Sequence, residues 1–319
     1  MRTKIVYVVS SDDKDIILEQ ALLSVYSLRK HNSEAFVELV VDQDTDITIT
    51  EKRSEILKFV DKKTVVEVPV KYDKIARSRW IKTCLRNYII GDFLYIDTDT
   101  IVTDNLGTID DFAGDIGAVA DRHTTLQYHF GRERLKREAN KHGWKYSDDL
   151  IWFNGGVMYA KDSDISKAFY NEWHNNWIKS YDESKLYTDQ LPLGITNEAF
   201  DYLITELSGE WHCQVPANGI SFIANAKIMH YLAYGSTNNI WKFYDKSILK
   251  EIKNTGGITD RISYLVENAK RSFNIPNRII DGPEIDVYNS HLFSLCMDKP
   301  TIFKIFNIIA ALIKKLSRS

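Results

Sequence analysis

Apolar positions in this chain alternate between short continuous runs and helix-spaced stripes. Residues 4–9 are apolar on both faces, the pattern of a strand covered on either side in a parallel sheet. Residues 16–31 then place Ile17, Ala21, Leu22, Val25 and Leu28 at helical spacing. A second strand is predicted over 36–41, ending at Asp42-Gln43-Asp44. Residues 52–59 read as helical and 64–70 as extended. Residues 79–90 read as a helix with Ile81, Cys84, Leu85 and Tyr88 inward, and 93–96 as a further short strand. Strands alternating with helices predict an α/β sheet flanked by helices.

The second half is less regular. Residues 116–120 and 156–160 read as strands and 166–180 as a Trp-rich helix. Residues 131–141 are strongly charged and read as a solvated helix or loop. Arg132, Arg134, Lys136, Arg137 and Lys141 there are candidates for contact with a phosphorylated acceptor, against the plainer reading of a solvated face. Beyond about residue 240 the pattern predicts helices and irregular connections, so the chain divides into a catalytic unit over 1–240 and a mostly helical extension over 241–319. The last stretch, 301–319, is apolar and basic with no acid. Its polar or small residues recur at 304, 307, 311, 314 and 318. Such a helix suits a peripheral membrane contact, with Lys and Arg at anionic headgroups; closing a core or a dimer is the other reading. It is too short, and too charged at its end, to span a bilayer.

Composition narrows the picture. The 319 residues hold 41 basic and 44 acidic side chains, a net charge of −3, which argues against nucleic acid as a partner. Cys84, Cys213 and Cys296 form no CxxC pair and no zinc spacing, and three in this length favour a reducing compartment. The apolar run at the N-terminus breaks at Ser10-Ser11-Asp12-Asp13, so it reads as a buried strand rather than a signal peptide. A cytoplasmic protein is expected, peripheral on the inner face of the cytoplasmic membrane if the tail binds lipid.

The stretch with most chemical content is Phe93-Leu94-Tyr95-Ile96-Asp97-Thr98-Asp99-Thr100-Ile101-Val102. Residues two apart in extended chain face the same way, about 6–7 Å apart, so Asp97 and Asp99 can converge on one cation. The end of a strand in an open α/β sheet is where ligands bind. Carboxylate oxygens suit Mg²⁺ or Mn²⁺, which complete their shells with phosphate. Two chemistries use the arrangement. One is a Mg²⁺-dependent, HAD-like phosphatase or phosphotransferase with Asp97 as nucleophile. The other is sugar transfer from a nucleoside diphosphate sugar. A phosphatase would carry the motif near the start of its domain with Gly after the second acid. Here Thr100 follows, and several strand–helix units large enough for a nucleotide come first.

Six segments in order carry a resemblance. They are residues 4–13 (KIVYVVSSDD), 20–28 (QALLSVYSL), the block from Phe93 to Leu106, residues 153–158 (FNGGVM), Asp189-Gln190, and Ile228-Met229-His230-Tyr231. With these the chain resembles the family 8 glycosyltransferases, which include bacterial lipopolysaccharide galactosyl- and glucosyltransferases, over roughly 4–235. The resemblance implies a GT-A-type nucleotide-diphospho-sugar transferase fold. It implies Asp97, Asp99 and His230 as ligands of Mn²⁺ (or Mg²⁺); alone, His230 would read as a core histidine.

It further implies a UDP-hexose donor. Ser10 and Asp12 would hold uracil and ribose, Arg79 or Lys82 the diphosphate, and Asp121, Asn154 and Asp189 the donor sugar. Thr98, Gly155 and Gly235 fall on the donor side. Gln190 matches the position beneath the anomeric carbon. An amide there is a poor nucleophile, so the implied route is retaining and front-face, toward a lipopolysaccharide, capsule or other surface glycan or lipid-linked saccharide. The family's Lys-Pro after the late histidine is absent, with Trp241 and Lys242 as displaced candidates. That keeps open a third reading, an inactive nucleotide-sugar-binding partner protein at a membrane.

Overall fold

A computed structural model describes residues 1–129, 131–144, 147, 150–231, 246–272, 286–287 and 290–316. They fall into two units, Met1–Pro276 and Asn277–Ser319, taken separately below.

The first unit is built on a seven-stranded sheet. Its strands are β1 (Lys4–Val9), β2 (Val37–Asp42), β3 (Lys62–Val66), β4 (Phe93–Ile96), β6 (Ile116–Thr125), β7 (Ile151–Ala160) and β8 (Ile204–Glu206), in the order β3-β2-β1-β4-β7-β6-β8. β3, β2, β1 and β4 run parallel; β7 enters antiparallel beside β4 and beside β6. In β1, Ile5, Tyr7 and Val9 join one buried cluster, while Val6 and Val8 join the cluster on the opposite face. That alternation explains a strand with no polar side.

Helices α1 (Ile17–His31), α2 (Gln43–Asp46), α3 (Lys74–Thr83), α4 (Arg132–Lys141), α5 (Asp164–Ser184), α6 (Gln190–Ala199), α7 (Lys246–Thr255), α8 (Asp260–Glu267) and α9 (Ala269–Ser272) complete this unit. α5 buries Trp173 and Trp177 against the sheet. The charged segment forms α4, with Leu135 and Ala139 buried on its inner side. The helix expected at 79–90 starts earlier, at Lys74, because Asp73 caps it by accepting from the Ala76 N–H, and it ends at Thr83. Residues 51–58 form a 3₁₀ helix.

A second, three-stranded sheet has the order β5-β10-β9, with β5 Thr100–Val102, β9 Cys213–Gln214 and β10 Ile228–His230. β5 and β10 pair antiparallel with Thr100 opposite His230.

In the second unit, α10 (His291–Asp298) precedes α11 (Pro300–Leu316). α11 leaves Phe303, Ile305, Phe306, Ile308, Ile309, Leu312, Ile313 and Leu316 exposed. No helix among the described residues is long and apolar enough to cross a membrane.

Candidate active site

β4 delivers Asp97 to the edge of the sheet. The Asp97 N–H donates to the Gly156 carbonyl at 2.7 Å, and the Tyr95 hydroxyl donates to Asp97 Oδ1. Tyr95 lies two residues before Asp97 on the same strand face, and burial pushes its phenol well up, so it stays a donor. Thr100 Oγ1 donates to the Asp97 carbonyl at 2.9 Å and closes the turn into β5.

His230 arrives on the neighbouring strand. The Tyr231 N–H donates to the Asp99 carbonyl at 3.1 Å, so backbone bonds hold the two segments together. His230 Nε2 lies 2.9 Å from Asp99 Oδ1 and 4.0 Å from Asp97 Oδ2. One ligand atom from each of Asp97, Asp99 and His230 falls within 4.8 Å of the others. Burial alone would depress the His230 imidazole; the Asp99 carboxylate outweighs that and raises it. Gly156 gives the triad its room. A Cβ there would stand 2.7 Å from His230 Cε1 and 2.8 Å from Asp97 Oδ2. Two carboxylates and an imidazole around one point suit Mn²⁺ or Mg²⁺ in donor chemistry.

Two cavities meet at this edge and share Arg79, Asp97 and Asp99. One, of about 410 Å³, is walled by Ser10, Asp15, Ile16, Lys74, Tyr95 and Thr98 among others. The other, of about 390 Å³, is walled by Lys82, Asn154, Gly155, Gly156, Tyr187, Thr188, Asp189, Gln190 and His230. Ser10 Oγ is buried without a hydrogen-bond partner among the described residues, so a ligand atom in the first cavity would satisfy it. Arg79 stands where the cavities join. Burial works against its charge, but Asp189, Asp97 and Asp99 reverse the balance and keep it cationic.

On the far wall, Lys82 Nζ lies 2.7 Å from Asp189 Oδ2 and 3.7 Å from Asp97 Oδ1. Burial would raise the Asp189 carboxyl; Lys82 and Arg79 prevail and lower it. Gln190 is the first residue of α6, and its side-chain amide makes no hydrogen bond to the described residues. A Cβ on Gly155 would come 3.1 Å from Lys82 Nζ, so the backbone there hugs the ion pair.

The sequence-predicted residues thus divide. Asp97, Asp99, His230, Ser10, Arg79, Lys82, Thr98, Asn154, Gly155, Asp189 and Gln190 come together around the two cavities. Asp12 does not line them: it accepts from Lys74 Nζ at 2.6 Å, which holds its carboxyl down at about 2. Asp121 lies behind Asn154, bonded to Asn154 Nδ2 at 2.6 Å and to His129 Nε2 at 2.7 Å. Gly235, Trp241 and Lys242 lie outside the described residues. Sequence reasoning missed Asp15, Lys74, Tyr95, Gly156, Tyr187 and Thr188. For two of these a signal exists: the i, i+2 relation of Tyr95 to Asp97, and a glycine pair inside a strand, which marks close backbone approach.

No known protein-family profile matches the chain, and no curated protein matches it in sequence. Solved structures match by fold. The galactosyltransferase LgtC, solved with donor and acceptor sugar analogues, is 16% identical, with a TM-score of 0.55 over 79% of this chain and 96% of LgtC. An LgtC active-site mutant, a glutamine changed to glutamate, gives a TM-score of 0.55 at 14% identity over the same shares. The bifunctional glycosyltransferase WbbM, in its apo form, is 17% identical, with a TM-score of 0.54 over 85% of this chain and 51% of WbbM. The mixed sheet is therefore the GT-A-type fold of these glycosyltransferases.

Proposed function

We propose that this protein is a retaining, divalent-metal-dependent glycosyltransferase of the family 8 type. It would move a hexose from a UDP-sugar to a lipopolysaccharide, capsule or other surface-glycan acceptor. The observation that carries the proposal is the meeting of Asp97, Asp99 and His230 on the shared edge of two cavities, one on each side of the triad. A nucleotide fits one side and a sugar the other, with the diphosphate at the junction. LgtC, the fold relative solved with sugar analogues, supports the choice of chemistry by analogy.

Asp97, Asp99 and His230 would hold Mn²⁺ or Mg²⁺, which when bound supplies Lewis-acid stabilisation of charge growing on the diphosphate. The remaining roles belong to side chains. Ser10 Oγ hydrogen-bonds the nucleoside in the first cavity. Arg79, cationic at the junction, pairs with phosphate oxygens. Lys82 and Asp189 form a fixed charged wall for the hexose hydroxyls, joined by Asn154. Gln190 turns its amide oxygen toward the anomeric carbon, where it favours oxocarbenium-like charge without forming a bond. The acceptor hydroxyl attacks from the leaving-group side and its proton passes to the departing diphosphate. A glutamine is also the residue changed in the LgtC active-site mutant, which supports Gln190 as its counterpart.

The proposal extends to location. α11 exposes aliphatic and aromatic residues along a segment that carries Lys304 and no acid, which suits shallow insertion among anionic lipids and so access to a lipid-borne acceptor.

The test is thermal shift and UDP release with purified full-length protein, Mn²⁺, and UDP-glucose, UDP-galactose or their N-acetylated forms. One donor should stabilise the protein and release UDP only with metal present. Phosphate release from simple phosphomonoesters, with no response to any UDP-sugar, would overturn the reading.

A further inference from the structure

His212 lies directly behind the triad and is wholly buried. Its ring lies edge to edge with that of His230, 4.8 Å between centroids and 18° between planes, with Nε2 at 2.5 Å from His230 Nδ1. Its other nitrogen, Nδ1, is buried with no hydrogen-bond partner among the described residues. Such an orphan is costly, and a structural histidine would be replaced at little loss by an apolar side chain of similar shape.

The geometry points to His212 as the positioning residue of the metal site, fixing the tautomer and the plane of His230. This rests on the metal reading above. To bind a cation, His230 Nε2 must present a lone pair, so the ring proton must sit on Nδ1. Among the described residues, the acceptor brought to that Nδ1–H is His212 Nε2. His212 then carries its own proton on the unpartnered Nδ1, which accounts for the orphan. In most metal sites a carboxylate or carbonyl accepts from the ligand histidine. A neutral imidazole does so here, so no third negative charge is added beside Asp97 and Asp99.

The experiment is calorimetric titration of full-length protein with MnCl₂, run on the natural protein, His212→Phe and His212→Gln, alongside UDP titrations in EDTA. Phe keeps an aromatic ring of similar shape and removes the acceptor; Gln carries an oxygen near the position of Nε2. His212→Phe should weaken Mn²⁺ binding by about 10- to 100-fold with unchanged metal-free UDP binding, and His212→Gln should regain most of the loss. Undiminished Mn²⁺ affinity in His212→Phe overturns the inference. Absence of Mn²⁺ binding by the natural protein overturns the metal reading itself, and the inference with it. Should His212→Phe fail to fold, a long-range ¹H–¹⁵N spectrum of the natural protein with Mg²⁺ decides. A His212 ring protonated on Nδ1, with its Nε2 accepting from His230 Nδ1–H, supports the assignment, and a His212 proton on Nε2 overturns it.

Discussion

Lys82 Nζ and Asp189 Oδ2 sit 2.7 Å apart in the wall of the cavity that also holds Gln190 and His230, with side chains only 6% and 9% exposed. A charge so enclosed depends on its partner. Lys82→Ala leaves the Asp189 carboxylate buried with Arg79 as the remaining cation, and should cost about 3–5 kcal/mol in urea unfolding. Combining it with Asp189→Leu should return a large part of that stability while transfer stays lost. A Lys82→Ala protein as stable as the natural one would show that water reaches the pair.

Asp97→Asn and Asp99→Asn should each abolish transfer. Each removes one of two carboxylates from a three-residue site, and charge on the ligands governs the affinity for hard cations. UDP release measured across a Mn²⁺ series checks this, and turnover equal to that of the natural protein would remove the metal role.

Gly156→Ala places a methyl against His230 and Asp97 at distances no relaxed Cβ tolerates. The helices and sheet have no reason to unfold, so circular dichroism should match the natural protein while Mn²⁺ affinity falls. Retained affinity would mean that the strand gives way without moving the ligands.

Gln190→Ala should slow transfer on the order of 100-fold while UDP affinity changes little, because in the proposed mechanism its amide faces the reacting carbon rather than the nucleotide. Separate determination of kcat and UDP binding tests this, and equal losses in both would place Gln190 in ground-state binding instead.

Burial would raise the Asp121 carboxyl, yet hydrogen bonds from His129 and Asn154 lower it below its ordinary value of 3.8. A carboxyl depressed by folding stabilises the protein fully above the unfolded value and loses that contribution as pH falls through the folded one. Asp121→Asn should therefore cost about 1–3 kcal/mol at pH 7, and the deficit should shrink below pH 3.8. Urea midpoints at pH 7 and pH 3 read the difference; a deficit equal at both would deny the linkage.

The parallel half of the fold was legible because its strands are covered on both faces and its connections are regular helices. β1 and β4 fall where the apolar runs place them. α3 was misplaced because its start is set by Asp73, a capping residue outside the apolar stripe. α6 was missed because Pro192 and Gly194 argue against a helix, and the Pro is accommodated only in the first turn, where no N–H is needed. Of the site, Asp97 and Asp99 announced themselves by following an apolar strand. His230 could be joined to them only through the order of motifs, since the pairing that brings it to Asp99 is long-range. Asp121 and Asp12 carry the right chemistry in the sequence, but their neighbours, His129 and Lys74, engage them first.

The short antiparallel contact between β5 and β10 relieves the chain between residues 102 and 228 of setting the gap between Asp99 and His230. Loops within that long excursion can lengthen, shorten or be exchanged while the Asp–Asp–His grouping keeps its dimensions. An engineer could exchange surface loops there around a fixed chemical centre.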